Sequence, residues 1–149
     1  MAEAKKTVTM DVGPTELLKV IEDYESYPKF VDGMKNAKVL ERKESGGKNY
    51  VRVAYTLEIL SKEMQYVLDH VRSSGGLEWS LVESNFMKVN SGKWILEPKG
   101  TQKTDVTYEL NLDFKIPVPS FMLSGLVKSS LPSMLSAFEK RAKKIGVGS

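Results

Sequence analysis

The chain has 149 residues, a formal net charge of +3, 41% hydrophobic residues and no cysteine. That length suits a single domain, 1–149, with room for a sizeable core and an internal cavity. The absent cysteines exclude disulfides, a thiol nucleophile and cysteine metal sites, and the dispersed Lys and Arg residues are not interleaved with aromatics as in a nucleic-acid binder.

The opening MAEAKKTVTM has no apolar core of a secretory signal. No later stretch approaches the roughly 20 apolar residues of a membrane span. The expectation is a soluble, cytoplasmic protein. KKTVTMDV alternates Val8, Met10 and Val12 with Thr7, Thr9 and Asp11, which predicts a first strand. The period then changes. Leu17, Leu18 and Ile21 mark a short amphipathic helix with Pro14 at its start. ESYPKFV predicts a second short helix, capped by Ser26, with Pro28 in its first turn and Tyr27, Phe30 and Val31 as its buried side.

From residue 34 onward the pattern is strand after strand. Ser45-Gly46-Gly47 is a hairpin signal, and Ser73-Ser74-Gly75-Gly76 is a second turn. One face of the successive strands carries Val51, Val53, Tyr55 and Leu57, then Met64, Tyr66, Leu68 and His70, then Leu77, Trp79 and Leu81. It continues with Trp94 and Leu96, and with Val106, Tyr108, Leu110, Leu112 and Phe114. ESNFMKVNSG (83–92) reads as a connection, where Phe86 and Met87 are unexpected and would cap a cavity mouth or meet a membrane or partner. Clean alternation of apolar and polar residues implies an antiparallel sheet wet on one side.

The last segment, 115–144, reads as one long helix whose apolar stripe is Leu123, Val127, Leu131, Leu135, Phe138, Ala142 and Ile145. It is the one long element left to cover a curved sheet. Pro132 inside it costs about 3 kcal/mol and predicts either a kink or a break, with Ser130 as the cap of a second piece.

The stretches YESYPKFVDGMKNAKVLER (24–42), SGKWILEP (91–98) and TDVTYELNLDFKIPVP (104–119), followed by LPSMLSAFEKRAKK, resemble the START-like (helix-grip) superfamily. Within it the chain is similar to the polyketide cyclase/dehydrase and lipid-transport family, which includes the coenzyme-Q-binding proteins. The resemblance implies an α+β fold: a seven-stranded curved antiparallel sheet wrapped around a long C-terminal helix, with two short helices between strands 1 and 2. It also implies a hydrophobic cavity for a lipid, isoprenoid quinone or polyketide-like molecule. Alternatives within the resemblance are a polyketide aromatase/cyclase and a ribosome-associated interaction protein. Fold does not choose among them.

Strand parity and helix spacing place Tyr27, Phe30, Val53, Tyr55, Tyr66, Leu68, Trp79, Leu81, Trp94, Tyr108, Leu110, Phe121, Leu123, Val127, Leu131 and Leu135 on the cavity wall. His70 is the sole histidine, read as a satisfied strand residue in preference to a catalytic one. A cyclase would bring His70, Arg72 and Tyr108 together with Tyr66 as proton-handling groups. Arg52 and Arg72 read as exposed strand arginines; an inward arginine would hold a carboxylate or polarise a carbonyl. The sequence suggests no cofactor and no metal set. The expected partner is an apolar small molecule, with a protein partner or peripheral membrane contact as further options.

Overall fold

The computed structural model describes residues 2–59, 61–73 and 75–148. The chain forms β1 (Ala2–Met10), α1 (Pro14–Ile21), a 3₁₀ turn (Tyr24–Lys29) and β2 (Met34–Ser45). Then come β3 (Lys48–Ile59), β4 (Lys62–Ser73), β5 (Gly76–Ser84), β6 (Met87–Pro98), β7 (Thr104–Phe114) and α2 (Ser120–Gly148). The strands make one antiparallel sheet in the order β1-β7-β6-β5-β4-β3-β2. β2 to β7 form a meander because short turns join them. The first strand crosses to the far edge, where Ala2 to Met10 pair continuously with Leu112 to Thr104.

Interruptions of register between Met34 and Asn36, Val39 and Glu41, Val67 and Leu68, and Met87 and Val89 add local twist. The curved sheet buries its concave side against α1 and α2. The core joins Val53, Tyr55, Met64, Leu77, Trp94 and Val106 to Leu17, Val20 and Ile21 of α1 and to Leu131, Leu135, Phe138 and Ala142 of α2.

α1 begins where Pro14 follows Gly13, and it buries Leu17, Val20 and Ile21. The turn after it departs from the sequence expectation. It starts at Tyr24, and Ser26 does not cap it; the Ser26 N–H donates to the Asp23 carbonyl instead.

Two further boundaries differ. The 83–92 connection is mostly strand: β6 already begins at Met87, which is 3% exposed. Phe86 lies half-buried beneath the Lys62 ammonium, 5.9 Å from its ring centre. The long helix begins at Ser120, not Lys115, because Pro117 and Pro119 hold the residues before them out of the helical region. It then continues through Pro132 to Gly148 without a break. Leu123, Val127, Leu131, Leu135, Phe138 and Ala142 are buried as their spacing requires, and Ile145 is half-buried. Pro132 is exposed, so the hydrogen bond it removes lies on the solvent side, where water can serve the Lys128 carbonyl. Of the Ser73–Gly76 turn, Ser74 lies outside the described residues.

Candidate functional site

Between the concave sheet and α2 lies a cavity of about 650 Å³. Its wall takes Tyr55 from β3, Met64, Tyr66, Leu68 and His70 from β4, and Leu77 and Trp79 from β5. β6 adds Met87, Asn90 and Trp94, and β7 adds Tyr108, Leu110, Leu112 and Phe114. α2 closes it with Val127, Leu131, Met134, Ala137 and Phe138. Tyr27, Phe30 and residues 31–34 form one rim; Ser129, Ser130 and Ser133 lie on the facing helix.

The period-2 alternation explains why most of these side chains meet. Cross-strand partners project to the same face. Tyr55 pairs with Tyr66, Val51 with His70, His70 with Trp79, and Trp94 with Tyr108. The rings then pack on one another: Tyr55 stacks on Tyr66 at 5.2 Å, and Trp94 meets Tyr108 edge-on at 4.8 Å. Gly92 makes room for this layer. A Cβ there would lie 2.1 Å from the Glu109 carbonyl and 2.6 Å from the Trp79 ring.

The polar groups on the wall divide into those already engaged and those available. Tyr27 donates its hydroxyl to the Ile21 carbonyl. The His70 ring is bonded at both nitrogens, to the Val51 carbonyl at 3.1 Å and to the Tyr55 hydroxyl at 3.0 Å. A carbonyl can only accept, so Nδ1 carries the hydrogen and Nε2 accepts from Tyr55. Burial pulls the imidazole from 6.5 down to about 4, so His70 is neutral at pH 7. Burial likewise pushes up the phenols of Tyr27, Tyr55, Tyr66 and Tyr108, which therefore stay protonated.

Tyr66 and Tyr108 differ from Tyr27 and Tyr55. Their hydroxyls meet no protein hydrogen-bond partner among the described residues, and they sit close enough for Tyr66 to act on the Tyr108 phenol. The third available group is Asn90, 7% exposed. Its Oδ1 accepts from Trp79 Nε1 at 3.0 Å, which turns its amide NH₂ toward Met87 Sδ at 3.5 Å. Sulfur is a weak acceptor, so Asn90 keeps donor capacity for a better partner. Asn90 is hidden in the sequence because 83–92 has the composition of a connection. Its parity with Trp94 and Leu96 was the available signal. Among the described residues, the charged side chains on this wall are Asp32 and Glu58, both exposed at the rim.

Of the expected wall residues, Tyr27, Phe30, Tyr55, Tyr66, Leu68, Trp79, Trp94, Tyr108, Leu110, Val127 and Leu131 line the cavity. Five do not. Val53 is fully buried in the core beside Val39 and Leu68, and Leu135 is 2% exposed within the same core. Leu81 lies past Trp79, where β5 stops pairing with β6, and it packs half-buried against the core. Leu123 is buried but off the wall. Phe121 is 78% exposed; two residues before Leu123, it points to the opposite side of α2.

The proton-handling set of a cyclase does not assemble. Tyr66, His70 and Tyr108 line the cavity, but Arg72 lies outside it. Arg72 shares the face of His70 yet falls beyond the closed end, where Glu22 captures it in a two-pronged ion pair. Arg52 is on the outer face, bonded to Asp69 at 2.8 and 2.9 Å, and this guanidinium holds the Asp69 carboxyl below its usual range. Among the described residues, no three metal-ligating side chains come together. Among the same residues, no helix is long and apolar enough to cross a membrane.

Comparison with known proteins places this geometry. The family model described as "Polyketide cyclase / dehydrase and lipid transport" matches residues 10–139. The ribosome association toxin RatA of Escherichia coli K12 is 21% identical over 145 residues, covering 97% of this chain and 89% of RatA. Among solved structures, a START superfamily protein from Mycobacterium smegmatis superposes with a TM-score of 0.84 at 19% identity, covering 96% and 98% of the two chains. The ZhuI aromatase/cyclase from Streptomyces sp. R1128 follows at 0.81 and 14%, covering 96% and 94%.

Proposed function

Because the chain belongs to the polyketide cyclase/dehydrase and lipid transport family, we propose that it binds one neutral, apolar small molecule of the lipid, isoprenoid-quinone or polyketide class between the sheet and α2. The observation that carries this reading is the cavity itself. Its volume of about 650 Å³ lies within the range of roughly 300–1,000 Å³ usual for ligand pockets. Its lining is aromatic and aliphatic, and its interior carries no charge at pH 7. Burial of apolar ligand surface supplies the affinity, at about 25 cal/mol per Å². Tyr66, Tyr108 and Asn90 are the donors that would fix a carbonyl or hydroxyl of the ligand.

Binding or carriage is better supported than catalysis. His70 has both nitrogens occupied and is neutral, and the nearest arginine of matching parity is tied up outside the cavity. Native mass spectrometry of protein purified from its own host tests the proposal. A co-purified apolar small molecule at one per chain is expected. An empty protein that also fails to bind a panel of neutral lipids and isoprenoid quinones would sink it.

The RatA match over nearly the whole chain supports a second reading, association with ribosomes through the outer surface. Salt-sensitive co-sedimentation with ribosomes is the expected result; no co-sedimentation at low salt would dismiss it.

A further inference from the structure

Behind His70, on the side away from the apolar cavity, lies a second cleft of about 610 Å³ with opposite chemistry. His70 and Leu77 line both spaces, so a single layer of side chains divides them. The register explains how charge gathers there. Arg42 pairs with Val51, and Val51 pairs with His70, so Arg42 and His70 share the concave face. Arg72 lies two residues beyond His70 on the same strand and the same face. Tyr24 covers this end of the sheet, its ring on that of His70 at 4.3 Å. Its phenol feels the charges of both Arg42 and Arg72.

Lys43, Glu22 and Glu44 also line the cleft. On this face Arg42 and Arg72 meet Glu22 and Glu44, while Lys43 alternates toward the outer face, where its charge acts on Asp69; of the two carboxylates, Glu22 is already taken by Arg72. Glu22 receives the Nε and Nη2 edge of Arg72, leaving Nη1 free to donate elsewhere. Arg42 has no ion-pair partner among the described residues. Two guanidinium groups thus approach one space from two strands. A planar carboxylate is satisfied by one such fork, whereas a tetrahedral phosphate offers oxygens to both.

We propose that this cleft is an anion site for a phosphate group, held by Arg42 and Arg72 with the Tyr24 hydroxyl as a further donor. The phosphate can belong to a free phosphorylated metabolite or to the headgroup of a lipid. The site stands apart from the apolar cavity, so either can fail without the other.

The test is titration calorimetry with inorganic phosphate at low ionic strength, on the wild type, Arg42→Gln, Arg72→Gln and, as a charge control on β2 outside the cleft, Lys38→Gln. The neutral fluorophore N-phenyl-1-naphthylamine reports the apolar cavity in the same samples. Expected is saturable phosphate binding that weakens about tenfold in each arginine variant, as for loss of one charged hydrogen-bonding group. Lys38→Gln should bind phosphate as the wild type does. Fluorophore binding should be unchanged throughout, which separates this site from the cavity. Dodecyl phosphate gives the second arm. If it displaces the fluorophore while bound through the arginines, the phosphate is a lipid's; if it does not, the site serves a soluble phosphate, and both results support the site. No phosphate binding by the wild type, or equal weakening in Lys38→Gln, overturns the proposal.

Discussion

His70 shows how one buried side chain ties stability to pH. Its ring is sealed between Tyr55, Tyr24 and the Val51 carbonyl and is 4% exposed. In the unfolded chain it titrates near 6.5, and in the fold it takes a proton only near 4. Between those values the unfolded chain binds a proton that the folded chain refuses. Stability is therefore complete above pH 6.5 and falls as the pH drops toward 4, by about 3 kcal/mol from this group. Urea unfolding at pH 7 and pH 4.5 measures it. His70→Gln should show a shallower loss over the same interval, and an unchanged slope would mean that other groups carry the dependence. Much of this environment was legible as parity: Tyr66, Leu68 and His70 alternate with Gln65, Val67 and Asp69. Asn90 was not legible, because an asparagine next to Ser91-Gly92 has the composition of a turn. Its burial comes from the Trp79 indole it receives, a partner eleven residues away that no local pattern names.

At the scale of elements, α2 carries the fold's closure. Its stripe from Leu123 to Ala142 was readable from spacing alone, since a helix that covers a concave sheet must turn one face inward throughout. Its start at Ser120 falls just after two prolines that hold the residues before them out of the helical region, so the apolar run from Lys115 does not open the helix. The fate of Pro132 was undecidable locally; exposure on the solvent side lets the helix run on. Pro132→Ala restores a backbone donor and removes the ring without opening a buried gap, so it should stabilise the protein, by up to about 3 kcal/mol. Chemical denaturation decides the point. A destabilised variant would show that the proline ring makes contacts the fold depends on. The β5–β6 connection teaches the converse lesson, since Met87 looked out of place only while its strand was drawn too short.

At the scale of the molecule, charge is partitioned. The cavity interior holds neutral phenols, a neutral imidazole and an amide, while Asp32 and Glu58 stay at its rim, Arg141 lies over the rim ring of Phe30, Arg42 and Arg72 stay behind His70, and Arg52 lies on the outer face. Burying an unpaired charge costs several kcal/mol, so a neutral wall selects a neutral occupant. The most direct test is a titration of N-phenyl-1-naphthylamine into the wild type and into Leu110→Trp, whose larger ring would fill the space that half-buried Leu110 borders. The account predicts saturable binding at one per chain in the wild type and at least a tenfold loss in the variant, with the fold intact by circular dichroism. Absent binding in the wild type, or undiminished binding in a folded Leu110→Trp, would contradict it.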